Sequence, residues 1–269
     1  MRNAHYWKQA EANRKKAADH VAKTESLYGK TISVLAKATK AYDPTGAHRA
    51  LRAIPAPPAI QQTVLVYDLD TVSAVFQTTM HQCFAVPGKT ACLNFASYKE
   101  PGGKFLAGSS AQEESLCHAS LLYSILRRQE QWYRENNEHK NRGLYLDRAL
   151  YSPNVPFFTE TTQTTCSVIT CAAPNRRVAM EYCHVPYEIY QRTLFDRLQF
   201  VIDVAAAEQA QTLILGAFGC GVFANDPKDV AAGFAAALSS ETGKRIPQVL
   251  FAIPDRTSST FQTFAETFM

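Results

Sequence analysis

Residues 91–126, ACLNFASYKEPGGKFLAGSSAQEESLCHASLLYSIL, constrain the fold more than any other stretch. They open with an apolar run over 91–96, interrupted only by Asn94, and pass into a loop holding Pro101, Gly102, Gly103 and Gly108. A helix is predicted to begin near Ser109 or Ser110, with Gln112, Glu113 and Glu114 in its first turn. Strand, permissive loop and helix start are the parts from which α/β proteins build ligand sites. Backbone N–H groups and side chains converge there, beyond the carboxyl end of the strand.

The same rhythm runs through the chain. Apolar runs predict strands at 63–67, 149–152, 166–172, 212–217 and 248–253. Helices are predicted at 4–24, 31–42, from Asp70 or Thr71 to Phe76, and from 110 to about 123 or 127. Residues 187–209 carry Leu194, Leu198, Val201, Ile202 and Ala205 at helical spacing, and further helices are predicted from Pro227, capped by Asn225 or Asp226, and over 257–268. Residues 43–46 (DPTG) read as a turn, Pro55, Pro57 and Pro58 as an irregular connection, and 128–148 as polar and partly irregular. Pro153 and Pro156 are expected to break the strand that starts at 149. Strands alternating with helices argue for a layered α/β architecture. With no linker-like stretch, residues 1–269 are expected to form a single domain, 1–60 being an N-terminal helical extension.

Composition narrows the class. The apolar fraction, 46%, suits a globular chain, and no apolar run approaches a membrane span. The N-terminus lacks the apolar core of a secretory signal, and seven scattered cysteines do not resemble a disulfide framework. A reducing, cytoplasmic setting follows as the simpler expectation. Residues 1–50 carry ten Lys/Arg against four acids, while the remainder is slightly acidic. Such a basic arm suits a solvated helix face, with contact to nucleic acid or another polyanion as the other option.

Two readings are open for the acidic pair. Ser110-x-x-Glu113 fits a capping box, and acids in a first turn suit the helix dipole. Alternatively, adjacent buried carboxylates repel, so at least one is pushed toward its protonated form and becomes a proton donor near neutral pH. A second glycine-bearing segment, Gly216-Ala217-Phe218-Gly219-Cys220-Gly221-Val222-Phe223, lies between an apolar strand and a helix start. It is either a tight turn or an anion site. No cation neighbours Cys220 in sequence to activate its thiol. Cys117-His118 and Cys183-His184 lack the spacing of a zinc site, Ser152 lacks a nucleophile-elbow context, and the Gly102 loop is not a Walker loop.

Three segments carry a resemblance. NFASYKEPGGKFLAGSSAQEESLCHASLLY resembles the signature of the bacterial-type poly(ADP-ribose) glycohydrolases, a branch of the macrodomain superfamily, in which a glycine-rich loop precedes Gln-Glu-Glu. LILGAFGCGVFANDPKDVAAGF resembles that family's phosphate-binding loop, and ALYSPNVPFF its Tyr-Ser-Pro strand. Their order and spacing also match. The resemblance implies a three-layer α/β/α macrodomain-like sandwich with a mixed central sheet, and hydrolysis of the ribose–ribose O-glycosidic bond of poly(ADP-ribose). It implies Glu114 as the catalytic carboxyl, with Glu113 and Asn94 on the ribose. Gly102, Gly103, Lys104 and Gln112 would line the substrate. The main chain of Gly219, Cys220, Gly221 and Val222 would hold the diphosphate, with Phe223 near a ribose. No cofactor or metal is implied, and the expected partner is ADP-ribose or its polymer. The chain departs from the family pattern at Lys104, where a third glycine is expected. The lysine could salt-bridge an acid, swing to solvent, or contact a phosphate of a different substrate, so an ADP-ribose-binding module without activity and a hydrolase of mono-ADP-ribose on protein or nucleic acid are alternatives.

Overall fold

The computed structural model describes residues 2–55, 61–80 and 89–269. Pro57 and Pro58 lie outside the described residues. The elements run α1 (Arg2–Ala38), β1 (Lys40–Tyr42), α2 (Pro44–Arg52), β2 (Thr63–Tyr67), α3 (Thr71–Met80) and β3 (Thr90–Phe95). There follow α4 (Gln112–Ala119), α5 (Leu122–Leu126), α6 (Glu130–Glu138), β4 (Ala149–Phe158) and β5 (Gln163–Cys171). The chain closes with α7 (Tyr187–Ala207), β6 (Thr212–Leu215), α8 (Pro227–Ser239), β7 (Gln248–Ala252) and α9 (Ser259–Phe268). The strands form one seven-stranded sheet in the order β1-β4-β5-β3-β6-β7-β2. β1, β4 and β5 pair antiparallel, whereas β5, β3, β6, β7 and β2 run parallel.

Strand alternation divides the core into two layers. Leu93, Ile169, Leu213, Leu215, Val249 and Phe251 face one way, onto Leu194, Leu198, Val201, Phe234 and Phe264 of α7, α8 and α9. Cys92, Val168 and Ile214 face the other way, onto Leu116, Leu122, Ile125 and Trp132 of α4, α5 and α6. Successive side chains of a strand point to opposite faces, so a strand buried on both faces reads as a continuous apolar run. This is the expected mixed-sheet α/β/α sandwich.

Several boundaries differ from the sequence expectation, each for a local reason. The two N-terminal helices are one, α1, and residues 40–42 form an edge strand, so the first 60 residues are not wholly helical. The DPTG turn is instead the start of α2: the Asp43 carboxylate accepts from Gly46 N at 2.6 Å, and Pro44 takes the first helical position. α3 runs past Phe76 to Met80. The helix expected from 110 to 127 breaks at Ser120, whose extended backbone bridges to Phe157. Pro153 does not end β4; the register shifts between Ser152 and Val155, and the strand continues as a bulge. The segment read as irregular contains α6, whose inward face is Trp132, Tyr133 and Asn136.

Helix α1 lies against the layer that carries the acidic pair. Its Asn13 amide donates to Gly108 O at 3.1 Å, and His20 Nε2 lies 2.9 Å from Ser120 O. The buried Arg197 of α7 joins the sheet to the loop before β4. It pairs with Asp147 and donates to the carbonyls of Ala172 and Leu144.

Candidate active site

The site forms where β3, β5 and β6 end. Asn94 is the last inward side chain of β3 before the loop and is fully buried. Its amide donates to Glu113 Oε1 at 3.2 Å and to Thr170 Oγ1 at 3.3 Å. Asn94 Oδ1 is buried without a hydrogen-bond partner among the described residues, an unsatisfied acceptor beside the acids. Gln112 ties the helix start to the strand: its Oε1 accepts from Phe95 N at 2.8 Å and its Nε2 donates to Leu93 O and Thr71 Oγ1.

The capping box does not form. Ala111 occupies the cap position of α4 with no side-chain bond, and Glu113 turns away from the helix to accept from Ser97 N at 2.7 Å. Both acids are buried, Glu113 being 3% and Glu114 5% exposed. Burial pushes the Glu113 carboxyl up to about 8; the bonds from Ser97 N and Asn94 oppose that rise and the neighbouring Glu114 charge adds to it. The sequence expectation that at least one of the two is raised is met at Glu113.

Glu114 accepts from Lys104 N at 2.9 Å through Oε1. Its Oε2 makes no hydrogen bond to protein among the described residues. Gly103, at φ 58°, lies between the acids: a Cβ there would stand 2.9 Å from Glu114 Oε1 and 3.0 Å from Glu113 Oε2. Any side chain would both strain the backbone and push the carboxylates apart. Lys104 itself needs no glycine, because its φ is −101°. Its side chain is exposed, and no salt bridge joins it to either acid. Between a salt bridge to an acid and an excursion to solvent, the structure takes the second.

The second segment faces the first across a cleft of about 340 Å³, lined by Phe95, Gln112, Phe218, Gly219, Gly221 and Phe223. Gly219 sits at φ 76°, and a Cβ on it would meet Asn225 Nδ2 at 2.4 Å. Asn225 is held in turn by the Tyr190 hydroxyl at 3.0 Å and donates to Phe218 O. Cys220 N donates to Ala217 O at 3.1 Å within the turn. The N–H groups of Gly219, Gly221, Val222 and Phe223 have no protein acceptor among the described residues, an arrangement suited to an anion. Burial pushes the Cys220 thiol up to about 12, so it is no nucleophile at neutral pH. Phe223 packs beside Tyr145, which stacks on Tyr98 at 4.1 Å. A second hollow of about 250 Å³ continues past Phe95 and Gln112 toward Asp70, Ala252 and Ile253.

Sequence reasoning missed Ser97, Thr170 and Tyr190. Nothing local marks the first two. Tyr190 is separated by 35 residues from the Asn225 that it supports.

Comparison with known proteins identifies the family. The family model described as microbial-type PARG, catalytic domain, matches residues 10–160. The poly(ADP-ribose) glycohydrolase from Thermomonospora curvata is 31% identical, with a TM-score of 0.84 over 96% of this chain and 100% of that one. The same enzyme bound to the inhibitor ADP-HPD gives 30% identity and a TM-score of 0.82, with the same coverage of both chains. The Deinococcus radiodurans enzyme in complex with ADP-ribose gives 32% and 0.78 over 88% of this chain and 96% of that one. No curated protein sequence matches. With a family model spanning over half of its length and this whole-chain similarity, the chain belongs to the microbial-type poly(ADP-ribose) glycohydrolase catalytic-domain family.

Proposed function

We propose that this chain is a glycosidase that hydrolyses the ribose–ribose bond of poly(ADP-ribose) and releases ADP-ribose. One observation carries the assignment of residues: Glu114 is held by Lys104 N through one oxygen, in the space left by Gly103, with its other oxygen unpartnered by protein. Glu114 gives its proton to the leaving 2′-oxygen as the glycosidic bond breaks, and the bonding electron pair goes to that oxygen. The oxocarbenium-like sugar is then attacked by a water whose proton passes to Glu114, restoring the acid.

Glu113 and Asn94 hold the hydroxyls of the reacting ribose. Because Glu113 keeps its proton near neutral pH, most of the negative charge that the cationic sugar requires comes from the substrate diphosphate and from the carboxylate that Glu114 becomes on giving up its proton. The N–H groups of Gly219, Gly221, Val222 and Phe223 take the diphosphate, and the hollow past Phe95 takes the adenosine. The solved relatives in complex with ADP-ribose and with the inhibitor ADP-HPD support binding of such a nucleotide by this chain. Residues 1–269 act as one macrodomain-like catalytic unit. The free thiols of the described cysteines, and the lack of any described helix long and apolar enough to cross a membrane, are compatible with the cytoplasmic setting we assign.

The test pairs calorimetry with turnover. ADP-ribose is expected to bind, and purified polymer to release ADP-ribose with the wild-type chain but not with Glu114→Gln. Binding without turnover would reduce the chain to a reader of ADP-ribose. Turnover only on mono-ADP-ribosylated protein or nucleic acid would reassign the substrate.

A further inference from the structure

We infer that a cationic ledge formed by Lys99, Lys104, Lys140 and Arg142 receives the diphosphate of the neighbouring ADP-ribose unit, the one on the leaving side of the scissile bond. This rests on the function proposed above and specifies its substrate as polymer.

The sheet order sets the direction. The adenosine hollow lies by Asp70 and Ile253, at the β7 and β2 end of the sheet, and the glycine turn follows β6. Glu113 is anchored between β3 and β5 through Asn94, which also bonds Thr170. A ligand laid from adenosine through diphosphate to the reacting ribose therefore advances toward β5 and β4. The next unit must leave over the loops at that end.

Two such loops are joined there. The Tyr98 hydroxyl donates to His139 O at 3.0 Å, and Asn137 Nδ2 donates to Lys99 O at 2.9 Å. These bonds bring the acid-holding loop, with Lys99 and Lys104, against the segment with Lys140 and Arg142. All four side chains are exposed, and none enters an ion pair among the described residues. Glu100 and Glu138 are the exposed acids on the same segments, so the cations outnumber them.

The backbone supplies an independent sign of function. Asn141 and Arg142 adopt φ of 42° and 53°, a left-handed path that is unfavourable for arginine. Strain kept at a ligand-facing loop is a mark of functional constraint. A free mono-nucleotide has nothing to offer a ledge beyond the acids. A polymer does, because each repeat carries a diphosphate, and such contacts weaken with salt.

The experiment compares wild type with the triple variant Lys99→Gln, Lys140→Gln, Arg142→Asn, leaving Lys104 in place. Asparagine tolerates the left-handed backbone, so the fold is preserved. For long polymer, KM is expected to rise about tenfold with kcat unchanged, and the dependence of KM on salt to flatten. Calorimetric affinity for ADP-ribose, which lacks the leaving unit, should stay within about twofold. An unchanged polymer KM overturns the ledge while leaving the glycohydrolase reading intact. Equal losses for polymer and ADP-ribose also overturn it, since the variant would then have disturbed the site itself. A loss seen only on mono-ADP-ribosylated protein would reassign the ledge to a protein acceptor. No release of ADP-ribose by wild type would remove the functional reading and the ledge with it.

Discussion

The two halves of the cleft are built in opposite ways. On the acid side, side chains are wired to main chain: Gln112 to Phe95 and Leu93, Glu113 to Ser97, Glu114 to Lys104. On the glycine side, the main chain is presented outward, with N–H groups left without internal acceptors and Asn225 and Tyr190 bracing the turn from behind. Bond cleavage depends on where a carboxyl oxygen sits to within a fraction of an ångström, so that half is fixed by many short bonds. Anion binding depends on a field and a set of donors, so the other half need only keep its N–H groups unspent. Damage to the first half should therefore appear in kcat, and damage to the second in KM.

The sharpest break is Glu114→Gln. It should lower kcat on polymer by about 10²- to 10⁴-fold while leaving ADP-ribose affinity, read by calorimetry, nearly intact. A parallel loss of affinity would mean that the two halves are not separable. Gly103→Ala comes next. Its methyl group would press on both carboxylates, and kcat should fall by about 10²-fold with a smaller change in KM. The matched change across the cleft is Gly219→Ala, which meets Asn225 at a strained φ. It should cost about 1–3 kcal/mol in thermal or chemical unfolding and should raise KM more than it lowers kcat. Tyr190→Phe removes only the bond to Asn225 and should cost about 1 kcal/mol, with a few-fold rise in KM.

The last test is one of pH. Glu113 keeps its proton in the fold up to about 8, against an ordinary value of 4.5. Between these values the folded chain binds more protons than the unfolded one, so stability falls as pH rises through the window and levels off above it. The melting temperature of wild type relative to Glu113→Gln should decline across that range. A difference that rises with pH would show that the hydrogen bonds from Ser97 and Asn94 outweigh burial.

The same contrast explains what could be read from the sequence. The glycine turn and the acidic pair are local patterns, a loop after a strand and the first turn of a helix, and so are legible from residue order. The strands were legible because both faces are buried, which turns each into an unbroken apolar run. What escaped was set by distant partners. Residues 40–42 form a strand only because β4 offers an edge, and α6 is a helix whose polar composition hides the inward Trp132 and Tyr133. The DPTG segment was misassigned because Asp-Pro serves equally well as a turn and as a helix cap, and only the Asp43 bond to Gly46 decides between them. The capping-box pattern at Ser110 failed for the converse reason: Glu113 had a stronger engagement at Ser97.

The docking of α1 carries one more consequence. Asn13 and His20 reach across about a hundred residues of sequence to grip the two ends of the segment that bears the acids, at Gly108 and Ser120. A recombinant fragment trimmed to begin at the sheet would retain every group that touches the nucleotide and still lose the splint that keeps the acid-bearing segment in register. Such a fragment would be a soft enzyme, and a poor proxy for the intact one in any inhibitor screen.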